Sequence, residues 1–236
     1  MNILVFGGRS PISVGLCKKL ANSGHQVHLA SRKIDSELKE IFKDIQVFPI
    51  YEIDLANTDL AIKLTLKIDQ DVKGLDGLVF LHRYRGVDSN LIEQYIVEVL
   101  TPFQILETLS KVVRVSELAV VLTSSPAATK VVPDQDFQYH ASKAATEQLI
   151  RFASVRFAKN MIRTNGINPG SFVYKERAAN FYKSNPQVLI DAESSIPLGR
   201  MATVDDVAEV TYFLLSKKSS YINGEIINLH GGKSNL

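Results

Sequence analysis

Tyr139 and Lys143 stand four positions apart in Tyr139-His140-Ala141-Ser142-Lys143, at the head of a helical stretch, so their side chains share a helix face. A phenol is a weak acid near neutrality, with an ordinary pKa of about 10. A cationic amine one turn away favours the ionised phenol, which makes such a pair a candidate proton donor and acceptor. The same spacing also describes an ordinary surface pair. Context favours chemistry: Ser124 and Ser125 lie fifteen and fourteen residues upstream, at the end of an apolar run.

Elements that position these residues follow from the patterning. Short apolar, β-branched runs at Ile3–Phe6, Gln26–Ala30, Ile45–Ile50, Gly77–Leu81, Leu118–Thr123, Arg163–Ile167 and Glu225–Asn228 read as strands buried on both faces. Helical patterns fill the intervals: Ser13–Asn22, Ser36–Phe42, Asn57–Ile68, Ser89–Lys111, Tyr139–Lys159 and Thr203–Ser216. This alternation predicts an α/β fold, a doubly wound parallel sheet of about seven strands. No Pro/Gly/Ser-rich linker divides the chain, so residues 1–236 are expected to form a single domain. Ligands of such sheets bind outside the carboxyl ends of the strands, where strand order reverses.

The first strand runs into Gly7-Gly8-Arg9-Ser10-Pro11-Ile12-Ser13-Val14-Gly15. Small residues at a strand-to-helix turn admit a pyrophosphate to the backbone N–H groups of a helix N-terminus, and Ser13 is expected to cap that helix. A tight turn whose glycines serve packing is the plain alternative. The second strand ends in Ser31-Arg32-Lys33. A carboxylate there would favour the free ribose of NAD, whereas the Arg32 fork suits a 2′-phosphate and Ser31 adds no repelling charge. Arg9 is expected to face the same phosphate, so NADP(H) is the expected cofactor. Arg32 and Lys33 also fit simple solvated loop charges. Asp54-Leu55, after the third strand, suits either an adenine contact or a helix N-cap. Leu81, closing the fourth strand, borders the same crevice.

Four further segments add specificity: Val121-Leu122-Thr123-Ser124-Ser125, Ile162-Arg163-Thr164-Asn165-Gly166-Ile167-Asn168-Pro169-Gly170, Ile196-Pro197-Leu198-Gly199-Arg200-Met201 and Tyr221 to Gly232. With the Tyr139–Lys143 segment, they make nearly the whole chain resemble the short-chain dehydrogenase/reductase family. The resemblance is greatest to its 3-oxoacyl-carrier-protein reductases and related carbonyl reductases. It implies a Rossmann fold and an NADPH-dependent oxidoreductase reducing a ketone or aldehyde, including a carrier-linked acyl thioester. By position it implies catalytic roles for Ser125 (Ser124 as runner-up), Tyr139 and Lys143. Tyr139 would exchange the proton and Lys143 would hold the nicotinamide ribose. Gly7, Ser10, Ile12, Ser13, Pro169, Gly170 and Phe172 would line the cofactor. Departures from the family pattern are equally plain. Pro11 and Ser13 replace turn glycines, Phe80-Leu81-His82-Arg83 replaces an Asn-Asn-Ala-Gly run, Glu98 replaces a helix asparagine, and Tyr174 replaces a threonine. They motivate an alternative: a dinucleotide-binding sensor or partner subunit without turnover.

Composition narrows the remainder. A net charge of +2 with scattered basic residues argues against nucleic acid as a partner. One cysteine, Cys17, can form no internal disulfide, and neither His82 nor His140 has partners at metal-ligand spacing. No apolar run is long enough to span a bilayer, and the first residues read as a strand, so a cytoplasmic location is expected. Residues 171–200 are expected to form a substrate lid, in which Tyr174, Lys175, Arg177, Phe181 and Tyr182 mix cationic and aromatic groups. Apolar Val97, Leu100, Leu106, Ala145, Leu149, Phe152, Val155 and Phe157 exceed what packing on the sheet requires, pointing to a homodimer or homotetramer.

Overall fold

Seven apolar segments pair as parallel strands in the computed structural model, which describes residues 1–47, 49–84, 86, 90–170, 173–175 and 178–233. They are β1 (Asn2–Phe6), β2 (Gln26–Ser31), β3 (Ile50–Glu52), β4 (Gly77–Phe80), β5 (Leu118–Thr123), β6 (Ile162–Asn168) and β7 (Ile226–Asn228). Their order is β3-β2-β1-β4-β5-β6-β7, so the sheet reverses direction of growth between β1 and β4. The crevice of a doubly wound sheet lies at that switch point. Gly7 marks it. At φ +103°, a Cβ there would sit 2.6 Å from the backbone nitrogen of His82, so only glycine lets the two loops approach this closely.

The strands are flanked by α1 (Pro11–Asn22), α2 (Ser36–Phe42), α3 (Thr58–Asp71), α4 (Leu91–Tyr95), α5 (Thr101–Leu109), α6 (Phe137–Arg156), α7 (Ala179–Ser184), α8 (Pro186–Ser194) and α9 (Val204–Leu215). Alternating strand residues feed two cores. Leu4, Phe6, Leu78, Phe80, Val120 and Leu122 point to one face, and Ile3, Val5, Val79, Ala119 and Val121 to the other. Phe6 and Phe80 stack across the switch point, with centroids 5.1 Å apart.

Several boundaries differ from expectation by one to five residues, three of them for a plain local reason. Strand β3 starts at Ile50 rather than Ile45, because Pro49 has no N–H for a ladder and Ile45 to Val47 form a turn. Helix α1 starts at Pro11, whose fixed φ suits a first helical position, so Ser10 and not Ser13 is the N-cap residue. The stretch expected as one helix to Lys111 is α4 and α5 joined by a π-helical turn, Ile96–Leu100; its expected start, Ser89, lies outside the described residues.

The expected apolar surplus is also smaller. Val97, Leu106, Leu149 and Phe157 are buried in the core, because α5 and α6 pack on each other as well as on the sheet. Phe152 and Val155 stay exposed, at 48% and 81%.

Helix α1 packs against α9 through Gly15, where a Cβ would lie 2.3 Å from Cγ1 of Val204. Gly15→Ala is therefore expected to lower stability by about 1–3 kcal/mol, read from the denaturation midpoint, and Val204→Ala in the same chain is expected to restore most of it. An unchanged midpoint in the single variant contradicts this contact.

Candidate active site

Helix α6 begins at Phe137 because Asp136 caps it, its carboxylate accepting the N–H of Tyr139 at 3.1 Å. This places Tyr139 in the first turn and Lys143 one turn deeper, with Nζ 5.7 Å from the Tyr139 ring centroid. Tyr139 is half-buried and Lys143 buried. Ser125 follows β5 and is buried; its Oγ accepts from the N–H of Ala127 at 3.3 Å. A hydroxyl that accepts still has a proton to give. Ser124, the runner-up, instead donates its hydroxyl to Oε1 of Glu147 at 2.8 Å.

The crevice at the switch point has the features a dinucleotide needs. Helix α1 carries no acidic residue in its first turn and Ser10 makes no side-chain cap, so the N–H groups of that turn have no side-chain cap from Ser10. Ser13, expected as that cap, is fully buried and donates its hydroxyl to the carbonyl of Gly7 at 2.7 Å, locking the turn from inside. At the end of β2, Ser31 is buried, while Arg32 is exposed and meets no carboxylate among the described residues. Arg9 does not stand open as expected: its guanidinium is held by Asp35 and Glu37. Asp54 is not an N-cap. Its carboxylate closes a local turn onto the N–H of Ala56, and Asn57 caps α3. Leu55, three residues past β3, and Leu81, the residue after β4, are both buried. Gly170 follows Pro169 at φ +73°, backed by the carbonyl of Leu229, and Phe172 lies outside the described residues.

Beyond Ser125, a cavity of about 470 Å³ opens between Pro126, Val132, Ile196, Leu198 and Leu229, with Lys130, Arg200 and Lys233 among its walls. The described part of the lid region forms α7 and α8 over a small core of Ala192, Ile196 and Met201, where the Tyr174 and Tyr182 rings stack. Lys175 and Phe181 belong to this region, and Arg177 lies outside the described residues.

Sequence reasoning missed the partner of Lys143. Glu98 sits in the π-helical turn, and its Oε2 is 3.0 Å from Lys143 Nζ, with both side chains almost wholly buried. The signal was Pro102. Lacking an N–H, it cannot bond the carbonyl four residues back, and its ring crowds that group, so the helix widens at Glu98. The loosened carbonyls find side chains: His82 Nε2 meets Val97 O at 2.9 Å, and Thr146 Oγ1 donates to Glu98 O at 3.5 Å. The Glu98 carboxylate also accepts from Tyr84 N at 2.9 Å and Ser142 Oγ at 3.2 Å. Burial alone would raise its pKa; Lys143, the Tyr84 N–H and His82 outweigh that and hold the carboxyl below its ordinary value. A second missed group is Arg83, whose guanidinium carbon lies 4.2 Å over the Tyr139 ring centroid.

His82 is half-buried overall, yet its Nδ1 is out of water with no partner among the described residues. Burial pushes the ring down to about 4, and Lys143 adds to that, against the opposing pull of Glu98. The native ring is therefore neutral across a range where the unfolded one takes a proton, so this contribution to stability is complete above pH about 6.5 and is lost as pH falls toward about 4. Between pH 7 and 5 it amounts to roughly 2 kcal/mol, and urea unfolding at both pH values is expected to show that loss reduced in His82→Gln. The same loss in the variant contradicts it.

Comparison with known proteins agrees with this fold. A family model described as enoyl-(acyl carrier protein) reductase matches residues 8–234. An uncharacterized oxidoreductase of Bacillus subtilis, YmfI, is 24% identical over 97% of this chain and 97% of its own length. The L-xylulose reductase of Caenorhabditis elegans is 28% identical over 99% and 95%. The solved active-site complex of Pseudomonas aeruginosa RhlG with NADP superposes with a TM-score of 0.82 at 24% identity, covering 98% of this chain and 95% of that one. A Rossmann-like sheet, a crevice at its switch point and a match along almost the full length lead to one conclusion: the chain belongs to the short-chain dehydrogenase/reductase family of oxidoreductases.

Proposed function

We propose that the protein reduces a ketone or aldehyde carbonyl, including that of an acyl thioester, to an alcohol with NADPH as cofactor. The observation that carries this reading is Tyr139 and Lys143 on one face of α6, with the turn that Ser125 opens packed on the same helix and its hydroxyl proton uncommitted. When bound, NADPH supplies the hydride for the carbonyl carbon. The Ser125 hydroxyl donates to the carbonyl oxygen and holds it toward Tyr139. The Tyr139 hydroxyl delivers the proton as negative charge develops on that oxygen. Lys143, anchored by Thr123 O at 2.9 Å and by Glu98, has one further N–H to offer a ribose hydroxyl.

The uncapped start of α1 would take the pyrophosphate, and Arg32 a 2′-phosphate. Preference for NADPH over NADH rests on Arg32 and on the absence of a carboxylate at Ser31. A related reductase of L-xylulose and the NADP held by a similar fold support the reading. The cavity beside Pro126 would receive the rest of the substrate, whose entry α7 and α8 would cover. The exposed Phe152 and Val155 on α6 favour a homodimer or homotetramer.

A second reading, dinucleotide binding without turnover, draws on Glu98, because its carboxylate offsets the charge of Lys143. A panel of carbonyl compounds followed by NADPH absorbance separates the two: oxidation supports the reductase, and tight NADPH binding with no oxidation supports the alternative. Tyr139→Phe is expected to abolish turnover while calorimetric titration shows NADPH affinity within a few-fold of the parent; full activity in this variant overturns the reductase reading. Arg32→Gln is expected to cut the NADPH-over-NADH preference by about tenfold or more, as loss of a charge-assisted contact does, and an unchanged ratio contradicts the cofactor assignment.

A further inference from the structure

Apolar side chains supply most of the described wall of the cavity beyond Ser125: Pro126, Val131, Val132, Ile196, Leu198 and Leu229. Two of them stand largely in water, Val131 at 85% exposure and Leu198 at 71%. Exposed apolar side chains gathered around one concavity mark a place that takes up apolar surface. A volume of about 470 Å³ suits a small organic molecule. The cavity is tied to the reacting centre at two points. Pro126 follows Ser125 in the chain, and the N–H of Val132 donates at 2.9 Å to Nε2 of His140, the residue after Tyr139.

Polar groups in this wall are spent on one another. Among the described residues its side-chain acceptors are Asp206, Asn228 and His230. The Asp206 carboxylate accepts from both terminal nitrogens of Arg200, at 2.7 and 3.1 Å, and from the N–H of Thr203 at 2.7 Å. Asn228 Oδ1 accepts from Asn168 Nδ2 at 2.8 Å, and His230 Nδ1 accepts from the N–H of Gly232 at 3.1 Å. A ring that accepts at Nδ1 carries its proton on Nε2, which leaves it no second acceptor. Lys130, Arg200 and Lys233 add donors and no acceptor. Each hydroxyl of a sugar-like molecule brings a proton that needs an acceptor, and one left unmet in a desolvated pocket costs about tenfold in affinity or more.

From this wall we infer the substrate class: the carbonyl compound carries an apolar chain or ring, not a row of hydroxyls, and Val132, Ile196 and Leu198 select it. Resting on the reductase reading, this assignment puts the carbon atoms beyond the carbonyl in the cavity, where each methylene withdrawn from water strengthens binding about fourfold.

Two measurements test it. Initial rates with NADPH are taken over the methyl ketones from butanone to octanone and over a ketopentose. The value of kcat/KM is expected to rise about fourfold per added methylene until the cavity is full, and pentanone is expected to exceed the ketopentose by about a hundredfold. Leu198→Ser and Val132→Ser are expected to flatten the rise, with NADPH affinity within a few-fold of the parent. A flat series, a ketopentose used as well as pentanone, or an unaltered rise in both variants overturns the assignment. The second measurement needs no turnover: calorimetric titration of the protein with the straight-chain alcohols from butanol to octanol and with a pentitol. Affinity is expected to climb with chain length, to drop in Leu198→Ser, and to be below detection for the pentitol. A pentitol bound as tightly as pentanol overturns the assignment. Alcohol binding that climbs with length, while no ketone oxidises NADPH, upholds the apolar cavity and counts against the reductase reading alone. Leu198 is exposed, so its variant decides the matter even if the half-buried Val132 variant fails to fold.

Discussion

A carboxylate and an ammonium 3.0 Å apart, both removed from water, tie the site together. Glu98 belongs to the π-helical turn and Lys143 to α6; Tyr84, which donates to Glu98, follows β4, and Thr123, which accepts from Lys143, ends β5. One ion pair thus joins four segments at the carboxyl edge of the sheet. Desolvating two charges is costly, and the cost is offset here by hydrogen bonds to the remaining oxygens and N–H groups. Removing either partner strands the other in the interior, so neither residue is free to vary alone.

That constraint begins in the sequence with a proline. Pro102 prevents a regular α-helix at Glu98, the widened turn directs the Glu98 carboxylate inward, and Val97 O is left for His82. The loop after β4 is pinned by these contacts, and Arg83 on that loop is carried over Tyr139. The same loop crosses Gly7 so closely that no side chain fits, which couples the turn after β1 to the loop that carries Arg83 through backbone packing.

Much of this was legible in the residues. Apolar runs separated by helical periods gave the parallel sheet, since strands buried on two faces need no polar alternation. The spacing of Tyr139 and Lys143 put both side chains on one face of α6 because helical geometry makes four residues about one turn. What escaped was set by tertiary competition. Ser13 has the chemistry of a cap, but Pro11 starts the helix earlier and turns that hydroxyl inward. Arg9 has the chemistry of a phosphate ligand, but Asp35 and Glu37 reach it in the folded chain. Leu149 and Phe157 look like surplus apolar surface until α5 and α6 are seen to pack on each other. Arg83 over Tyr139 joins residues more than fifty positions apart, and no local pattern encodes that meeting.

The decisive measurement is a crystal structure of the protein grown with NADP⁺. Lys143 Nζ is expected within hydrogen-bond distance of a nicotinamide ribose hydroxyl while still holding Glu98, with Arg83 on the face of Tyr139 and Arg32 against the 2′-phosphate. A dinucleotide bound elsewhere, or a Lys143 that abandons Glu98 to reach it, would show that the buried ion pair is not the frame on which the site is built.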